Sequence, residues 1–131
     1  MRGKRLIARI LFLLYIVTVL VLCFGRFKDV PSVPWTLFGI PSDKIVHFCM
    51  FFPFPILGFL AFDKYTRTPR STFLFAGITF LVGVALACGT EWGQAHLTTY
   101  RSGDPLDLLA DVSALFIGTL IVIVWDIRKQ K

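Results

Sequence analysis

Apolar residues in this chain are grouped into four long runs, and most polar residues lie between the runs. The runs cover residues 6–24, 45–62, 72–94 and 106–125. Each can cross a bilayer as a helix, since about 20 residues at about 1.5 Å rise span the hydrocarbon core. The apolar positions are continuous and do not follow a 3.6-residue stripe, which is typical of helices that contact lipid. The sequence therefore predicts an all-α integral membrane protein with four transmembrane helices in an antiparallel bundle.

The composition supports this prediction. Hydrophobic residues make up 56% of the chain and charged residues 17%, with a mean hydropathy of +0.73, whereas roughly a quarter of a soluble domain is charged. A length of 131 residues predicts one domain over residues 1–131. A basic stretch before run 6–24 would also suit a signal peptide, but no small-x-small cleavage site follows, so we interpret this run as a helix.

The basic residues predict how the helices are oriented in the membrane. Ten of them lie within the first nine residues, between the second run and the third, or after the fourth, and only four lie in the other two connections. By the positive-inside rule, both termini and the 63–71 loop are cytoplasmic, and the 25–44 and 95–106 loops are outside. The net charge of +6 is therefore a topology signal, and we expect no nucleic-acid partner.

Local signals predict where helices begin and where they pack. Asp104 followed by Pro105 is typical of a helix start, and Thr68, Pro69 and Ser71 mark another. The prolines of the 25–44 loop favour an irregular strap on the outer surface. Gly89 and Gly93 form a GxxxG pattern, and Gly83 with Ala87 a second small-residue pair. Small residues let membrane helices approach closely, so we place the third helix at the bundle centre.

Polar residues from three predicted helices fall near the same outer leaflet. His47 lies near the start of the second helix, Glu91 and Gln94 lie near the end of the third, and acids open the fourth. Ionisable groups in a membrane are costly and usually functional. The sequence thus predicts an outer-face polar site formed by His47, Glu91, Gln94, Arg101, Asp104, Asp107 and Asp111.

Each of these residues also has a structural interpretation. Asp104 and Asp107 suit the electrostatic field at a helix N-terminus, and His47 could pair with Asp43 one turn earlier. Glu91 is harder to explain structurally, because an ionised side chain near hydrocarbon costs at least a few kcal/mol. Arg101 is the expected counter-ion for the acids. A purely structural polar network is the alternative to a functional site.

The order of these residues resembles the VanZ-like family of small bacterial membrane proteins. The resemblance is carried by Asp43-Lys44-x-x-His47, then Glu91-x-x-Gln94, then Arg101-x-x-Asp104-x-x-Asp107-x-x-x-Asp111, with Gly118 further on. It covers about residues 40–120. Asp111 stands where the family usually has Asn, and Ala114 where Gly is usual. The family's namesake is linked to teicoplanin resistance, and the family has no settled biochemical activity.

The resemblance implies a non-enzymatic factor of the bacterial cell membrane that reduces the access of glycopeptide antibiotics to their target. Its partner would be a membrane lipid or a lipid-linked cell-wall precursor, with Arg101 and Lys44 meeting phosphate. No cofactor and no resident metal are expected under this hypothesis. Transport is disfavoured, because four short helices enclose a path only as an oligomer.

The alternative is a membrane enzyme acting on a lipid-linked phosphate substrate. His47 or Glu91 would serve as general acid or base, and Asp107 and Asp111 would orient it or hold a hard ion such as Mg²⁺ or Ca²⁺. Neither a GxSxG nor an HExxH motif is present, and His96 points away from the Glu91 face. The sequence favours the non-enzymatic hypothesis.

Overall fold

The computed structural model describes residues 2–25, 36–100 and 102–131. Its helices are α1 (Arg2–Phe24), α2 (Ser42–Phe51), α3 (Pro53–Phe62), α4 (Pro69–Leu97) and α5 (Pro105–Gln130). A 3₁₀ turn at Asp63–Tyr65 joins α3 to α4, and two short strands, β1 (Thr36–Leu37) and β2 (Ile40–Pro41), precede α2. The predicted all-α class is confirmed.

Four helical segments are long and apolar enough to cross a membrane: Arg2–Phe24, Ser42–Tyr65, Pro69–Leu97 and Pro105–Gln130. They contain the four predicted runs, and their outward faces expose large apolar side chains such as Leu13, Leu74 and Leu81. Such exposure suits lipid, since a soluble protein would lose the free energy of burying these groups. The prediction of a multi-pass membrane protein is confirmed.

The second span is two helices rather than the single helix predicted. Pro53 and Pro55 have no N–H to donate to the carbonyls four residues earlier, so the hydrogen-bond ladder is interrupted between α2 and α3. Phe52 nevertheless keeps helical dihedrals, with φ −55° and ψ −41°. The chain therefore continues across the membrane while its hydrogen bonding changes.

The helices α4 and α5 pack against each other, α2 and α3 pack on α5, and α1 packs mainly on α3. Gly83 of α4 allows this approach, because a Cβ there would lie 2.6 Å from a methyl group of Leu115. A Cβ added to Gly93 would similarly lie 2.7 Å from the ring of Phe24. A Cβ added to Gly89 would have no neighbouring atom within 4 Å outside its own stretch of helix. The close approaches of α4 therefore use Gly83 and Gly93.

Both predicted helix starts are present. Thr68 caps α4 in a reciprocal capping box with Ser71, and Asp104 Oδ1 accepts a hydrogen bond of 2.9 Å from the Leu106 N–H at the start of α5. Of the predicted strap, residues 26–35 lie outside the described residues. Residues 36–41 form a tight hairpin in which Phe38 and Gly39 both have positive φ, and residues 42–44 already belong to α2.

Candidate functional site

Polar side chains from three elements meet at the end of the bundle where α2 and α5 begin and α4 ends. We call this group the polar cluster; it consists of Asp43, Lys44, His47, Glu91, Asp104, Asp107 and Asp111. Five of its members are among the residues singled out in the sequence. Helix packing brings them together, because α2 and α4 both pack on α5.

Lys44 holds the outer part of the polar cluster. Its ammonium contacts three carboxylates, at 2.7 Å from Asp43, 2.5 Å from Asp104 and 2.6 Å from Asp107. An ammonium has three N–H donors, so these contacts use its full capacity. The positive charge of Lys44 keeps the pKa of Asp104 below its usual range, and the Leu106 N–H acts in the same direction.

His47 occupies the inner part of the polar cluster. Its Nδ1 lies 3.0 Å from Asp111 Oδ1, within hydrogen-bonding distance. The other contacts are longer, at 3.5 Å from Nε2 to Asp107 Oδ2 and 3.8 Å from Nδ1 to Glu91 Oε1. An ionised carboxylate only accepts, so Nδ1 carries the proton when Asp111 is ionised. The predicted structural pairing of His47 with Asp43 is not present, because Asp43 turns to Lys44.

Glu91 joins the end of α4 to the loop before α5. Its Oε2 accepts a hydrogen bond of 3.0 Å from the Asp104 N–H. Gly103 makes this approach possible, since a Cβ there would lie 2.9 Å from the Ala95 Cβ and 3.2 Å from the Glu91 carbonyl oxygen. Glu91 Oε1 and Asp111 Oδ2 are buried without a hydrogen-bond partner among the described residues.

Two of the predicted site residues are not placed in the polar cluster. Gln94 is buried and donates a hydrogen bond of 2.9 Å to the Cys23 carbonyl, so it ties α4 to α1. Arg101 lies outside the described residues, and among those that the structure describes the ammonium of Lys44 meets the acids. His96, which the sequence excluded, is exposed and stacks on Trp92.

Asp43 was absent from the predicted site and Lys44 was expected only as a phosphate contact, although both lie in the motif that carries the resemblance. The signal was available in the spacing, because Lys44 precedes His47 by three residues and therefore shares its helical face. With Lys44 included, five carboxylates face one ammonium and one imidazole. The polar cluster thus holds more carboxyl groups than cationic side chains among the described residues.

The polar cluster offers two sets of metal-ligand atoms. In each, one donor atom from every member lies within 4.8 Å of the others: His47, Glu91 and Asp111 form one set, and Asp43, Asp104 and Asp107 the other. The second set already surrounds the Lys44 ammonium. The first contains both carboxylate oxygens that lack a partner among the described residues.

An apolar groove begins at the polar cluster and runs between α2 and α5. It has a volume of about 480 Å³, and its walls are Ile40, Pro41, Lys44, Ile45, Phe48, Leu106, Leu109, Ala110 and Ser113. Lys44 is therefore a member of both the groove and the cluster. A ligand with an apolar chain and a polar head could contact the two surfaces at once.

A scan against family models and searches of the curated proteins and the solved structures find no match to this chain.

Proposed function

We propose that this chain is a VanZ-like protein of the bacterial cell membrane that binds a lipid headgroup or a lipid-linked cell-wall precursor at the outer face. By occupying or screening that lipid, it would reduce the access of teicoplanin-type glycopeptide antibiotics. The family and the antibiotic effect come from the sequence resemblance. The observation that carries the binding proposal is the junction of the polar cluster with the apolar groove at Lys44.

The groove suits a hydrocarbon chain. Its walls are almost wholly apolar, with side chains such as Phe48 and Leu109 on opposite helices. A volume of about 480 Å³ lies within the range of small-ligand pockets in proteins. A lipid tail that lies between α2 and α5 would place its headgroup beside Lys44.

The charges of the polar cluster narrow the class of headgroup. All three donors of Lys44 are used by carboxylates, so Lys44 has none left for the phosphate contact that we expected. The excess carboxylates instead accept hydrogen bonds from hydroxyl, amide or amino groups. We therefore propose a headgroup rich in such donors, as in a sugar- or peptide-bearing lipid, with Arg101 as the remaining candidate for phosphate.

A susceptibility assay tests this function. Glu91→Gln and Arg101→Ala should abolish any protection against teicoplanin in a host that depends on this gene, while membrane abundance stays near that of wild type. Thr18→Ala is the control, because Thr18 is an exposed residue of α1 whose hydroxyl bonds to its own helix. Full protection by both variants at normal abundance would contradict a role for the predicted outer-face site in this function.

The groove can be tested separately by lipid mass spectrometry of the purified protein. Ala110→Phe would fill the groove and should reduce the amount of co-purifying lipid several-fold. Ala85→Phe is the matched control, since Ala85 is likewise an alanine of a long membrane helix but is exposed and lies outside the groove. Equal lipid recovery from the two variants would contradict a groove-bound tail.

We also propose that the polar cluster faces outward, with both termini cytoplasmic, because the basic residues are concentrated on the other side. A single cysteine at Ser102 in a cysteine-free background should then react with an impermeant thiol reagent in intact cells. A cysteine at Thr68 should remain unlabelled until the cells are opened. Labelling at Thr68 with none at Ser102 would invert this topology.

An enzymatic role is the second candidate, favoured by the His47–Asp111 pair. A carboxylate at 3.0 Å from Nδ1 fixes the imidazole and leaves Nε2 for proton transfer, as in other acid–base sites. Product formation from a lipid-pyrophosphate substrate, lost in His47→Gln, would favour catalysis. Lipid that co-purifies and stays intact would favour binding.

A further inference from the structure

We infer that His47, Glu91 and Asp111 form a binding site for one divalent transition-metal ion of the Zn²⁺ or Mn²⁺ type. The proposal concerns the inner part of the polar cluster and does not depend on any lipid. It also goes beyond the sequence, which predicted no resident metal and considered only hard ions for an enzyme.

The spacing of the donor atoms suits a shared ion. His47 Nδ1 lies 3.0 Å from Asp111 Oδ1 and 3.8 Å from Glu91 Oε1. Nitrogen and oxygen ligands at about 2.0–2.2 Å from one ion stand roughly 3–4 Å from each other. An ion could therefore sit between the three side chains with only small movements of their ends.

A second observation points independently to a ligand. Glu91 is 8% exposed and Asp111 is 0% exposed, yet Glu91 Oε1 and Asp111 Oδ2 have no hydrogen-bond partner among the described residues. Buried carboxylate oxygens are almost always satisfied by a donor or a cation. Glu91 Oε1 also faces His47 Nδ1, at a distance too long for a hydrogen bond. A metal ion would supply the missing partner of Glu91 Oε1 and would compensate the charge of the buried Asp111 carboxylate.

In the other set of acids, the carboxylate oxygens bind a cation that the chain itself supplies. Asp43, Asp104 and Asp107 surround the Lys44 ammonium at distances of 2.5–2.7 Å. The set of His47, Glu91 and Asp111 has no lysine or arginine within ion-pairing distance in the part of the chain that the structure describes. The imidazole makes this set the better transition-metal site of the two.

The donor types select the metal. Mg²⁺ and Ca²⁺ prefer oxygen ligands throughout, whereas an imidazole nitrogen with two carboxylates suits Zn²⁺ and Mn²⁺. On binding, the ion takes the place of the Nδ1 proton: an imidazolium releases that proton to solvent, whereas a neutral ring carries it on Nε2 instead, facing Asp107 Oδ2. Three protein ligands would leave further coordination positions for water or for a ligand oxygen.

Neighbouring groups contact two of the ligand side chains, and a surface groove borders one of them. The Asp104 N–H donates to Glu91 Oε2, and Asp107 Oδ2 lies 3.5 Å from His47 Nε2. Contacts of this kind, made by the atoms that do not face the ion, fix the orientation of metal-ligand side chains. A surface groove of about 280 Å³ between α4 and α5 is lined by Glu91, Trp92, Gly103 and Asp104, so one of the three ligand residues borders the surface.

The test uses the purified full chain in detergent, stripped with a chelator and then dialysed against Zn²⁺ or Mn²⁺. We expect elemental analysis to find about one ion per chain, and bound metal to raise the thermal unfolding temperature. Glu91→Gln and Asp111→Asn should each weaken binding by more than about a hundredfold, beyond the roughly 10–100-fold typical of lost supporting contacts. Ca²⁺ should bind more weakly than Zn²⁺.

The control is Asp126→Asn, which changes a buried carboxylate of the same helix at the other end of the bundle. It should bind metal like wild type. Wild-type protein that retains neither ion would overturn the inference and leave the cluster neutralised by protons alone. Retention that is unchanged in Glu91→Gln and Asp111→Asn would also overturn it, because the ion would then lie elsewhere. Neither result bears on lipid recovery, so the two proposals can fail separately.

Discussion

The two ends of the bundle each bury an aspartate of α5, but they surround it differently. Asp126 is 4% exposed, and its Oδ2 accepts hydrogen bonds from Thr72 Oγ1 at 2.6 Å and Gln130 Nε2 at 3.0 Å. Asp111 is 0% exposed, contacts His47 Nδ1, and keeps one oxygen without a partner among the described residues. Its other neighbours include the acids Glu91 and Asp107.

Asp126 therefore has the contacts of an acid that stabilises the fold, whereas the surroundings of Asp111 make its burial unfavourable. Asp126 receives two neutral donors, and the bond from Thr72 fastens α5 to the start of α4. One oxygen at that end, Gln130 Oε1, also lacks a partner among the described residues, but it carries no charge. At the polar cluster, several carboxylates are held close together with unsatisfied oxygens, which lowers stability. Such an arrangement is what the proposed ligand sites predict.

The largest loss of stability is expected at the structural end. Asp126→Ala removes the acceptor of Thr72 and Gln130, and hydrogen bonds to a charged group are each worth about 1.5–3 kcal/mol. We expect the free energy of unfolding to fall by about 3–6 kcal/mol, measured by denaturation of the purified protein in detergent. Protein that remains folded should keep its polar cluster unchanged. A loss well below about 1 kcal/mol would mean that Asp126 does not fasten these helices.

A smaller loss is expected between the two ends, where α5 crosses the break in the second span. A Cβ on Gly118 would lie 2.6 Å from Pro55 Cγ and 2.9 Å from the Phe52 carbonyl oxygen. Gly118→Ala should therefore cost about 1–2 kcal/mol through overpacking. Gly77→Ala is the control, because no atom lies within 4 Å of its Cβ position, and alanine there should stabilise the helix slightly. Equal effects of the two changes would contradict the close approach.

The smallest effect is expected at the rim of the polar cluster. The Asp43 side chain is 57% exposed where it meets Lys44, and exposed ion pairs contribute little. Asp43→Asn should change the free energy of unfolding by less than about 0.5 kcal/mol. It should also leave metal retention intact, since Asp43 is not a member of the inner set. A large change in stability or in metal retention would mean that Asp43 also contributes to the function of the cluster.

Most of the fold could be predicted because lipid imposes simple demands on a sequence. The four apolar runs identified the spans, and Thr68 and Asp104 identified two helix starts. The break at Phe52 was not predicted. Pro53 and Pro55 lie inside a run whose hydrophobicity alone suggested one continuous helix, although a proline in a helix interior removes a backbone hydrogen bond.

The end of the bundle that holds the site could be predicted, but its contacts could not. Positions along each helix placed His47, Glu91 and the acids of α5 at one end. Rotation about the helix axis is set by packing, and residues three apart still differ by about 60° in direction. That difference turns Gln94 toward Cys23 of α1 while Glu91 faces the cluster. For the same reason, the sequence did not predict the three contacts of Lys44.

The most direct test of the account compares the unfolding free energies of Asp111→Asn and Asp126→Asn, measured with a chelator present. The change at 126 turns two charge-assisted hydrogen bonds into neutral ones and should cost about 1 kcal/mol. The change at 111 keeps an acceptor for His47 and removes repulsion from Glu91 and Asp107, so this variant should be at least as stable as wild type. If Asp111→Asn instead loses as much stability as Asp126→Asn, the polar cluster is a structural network and not a binding site.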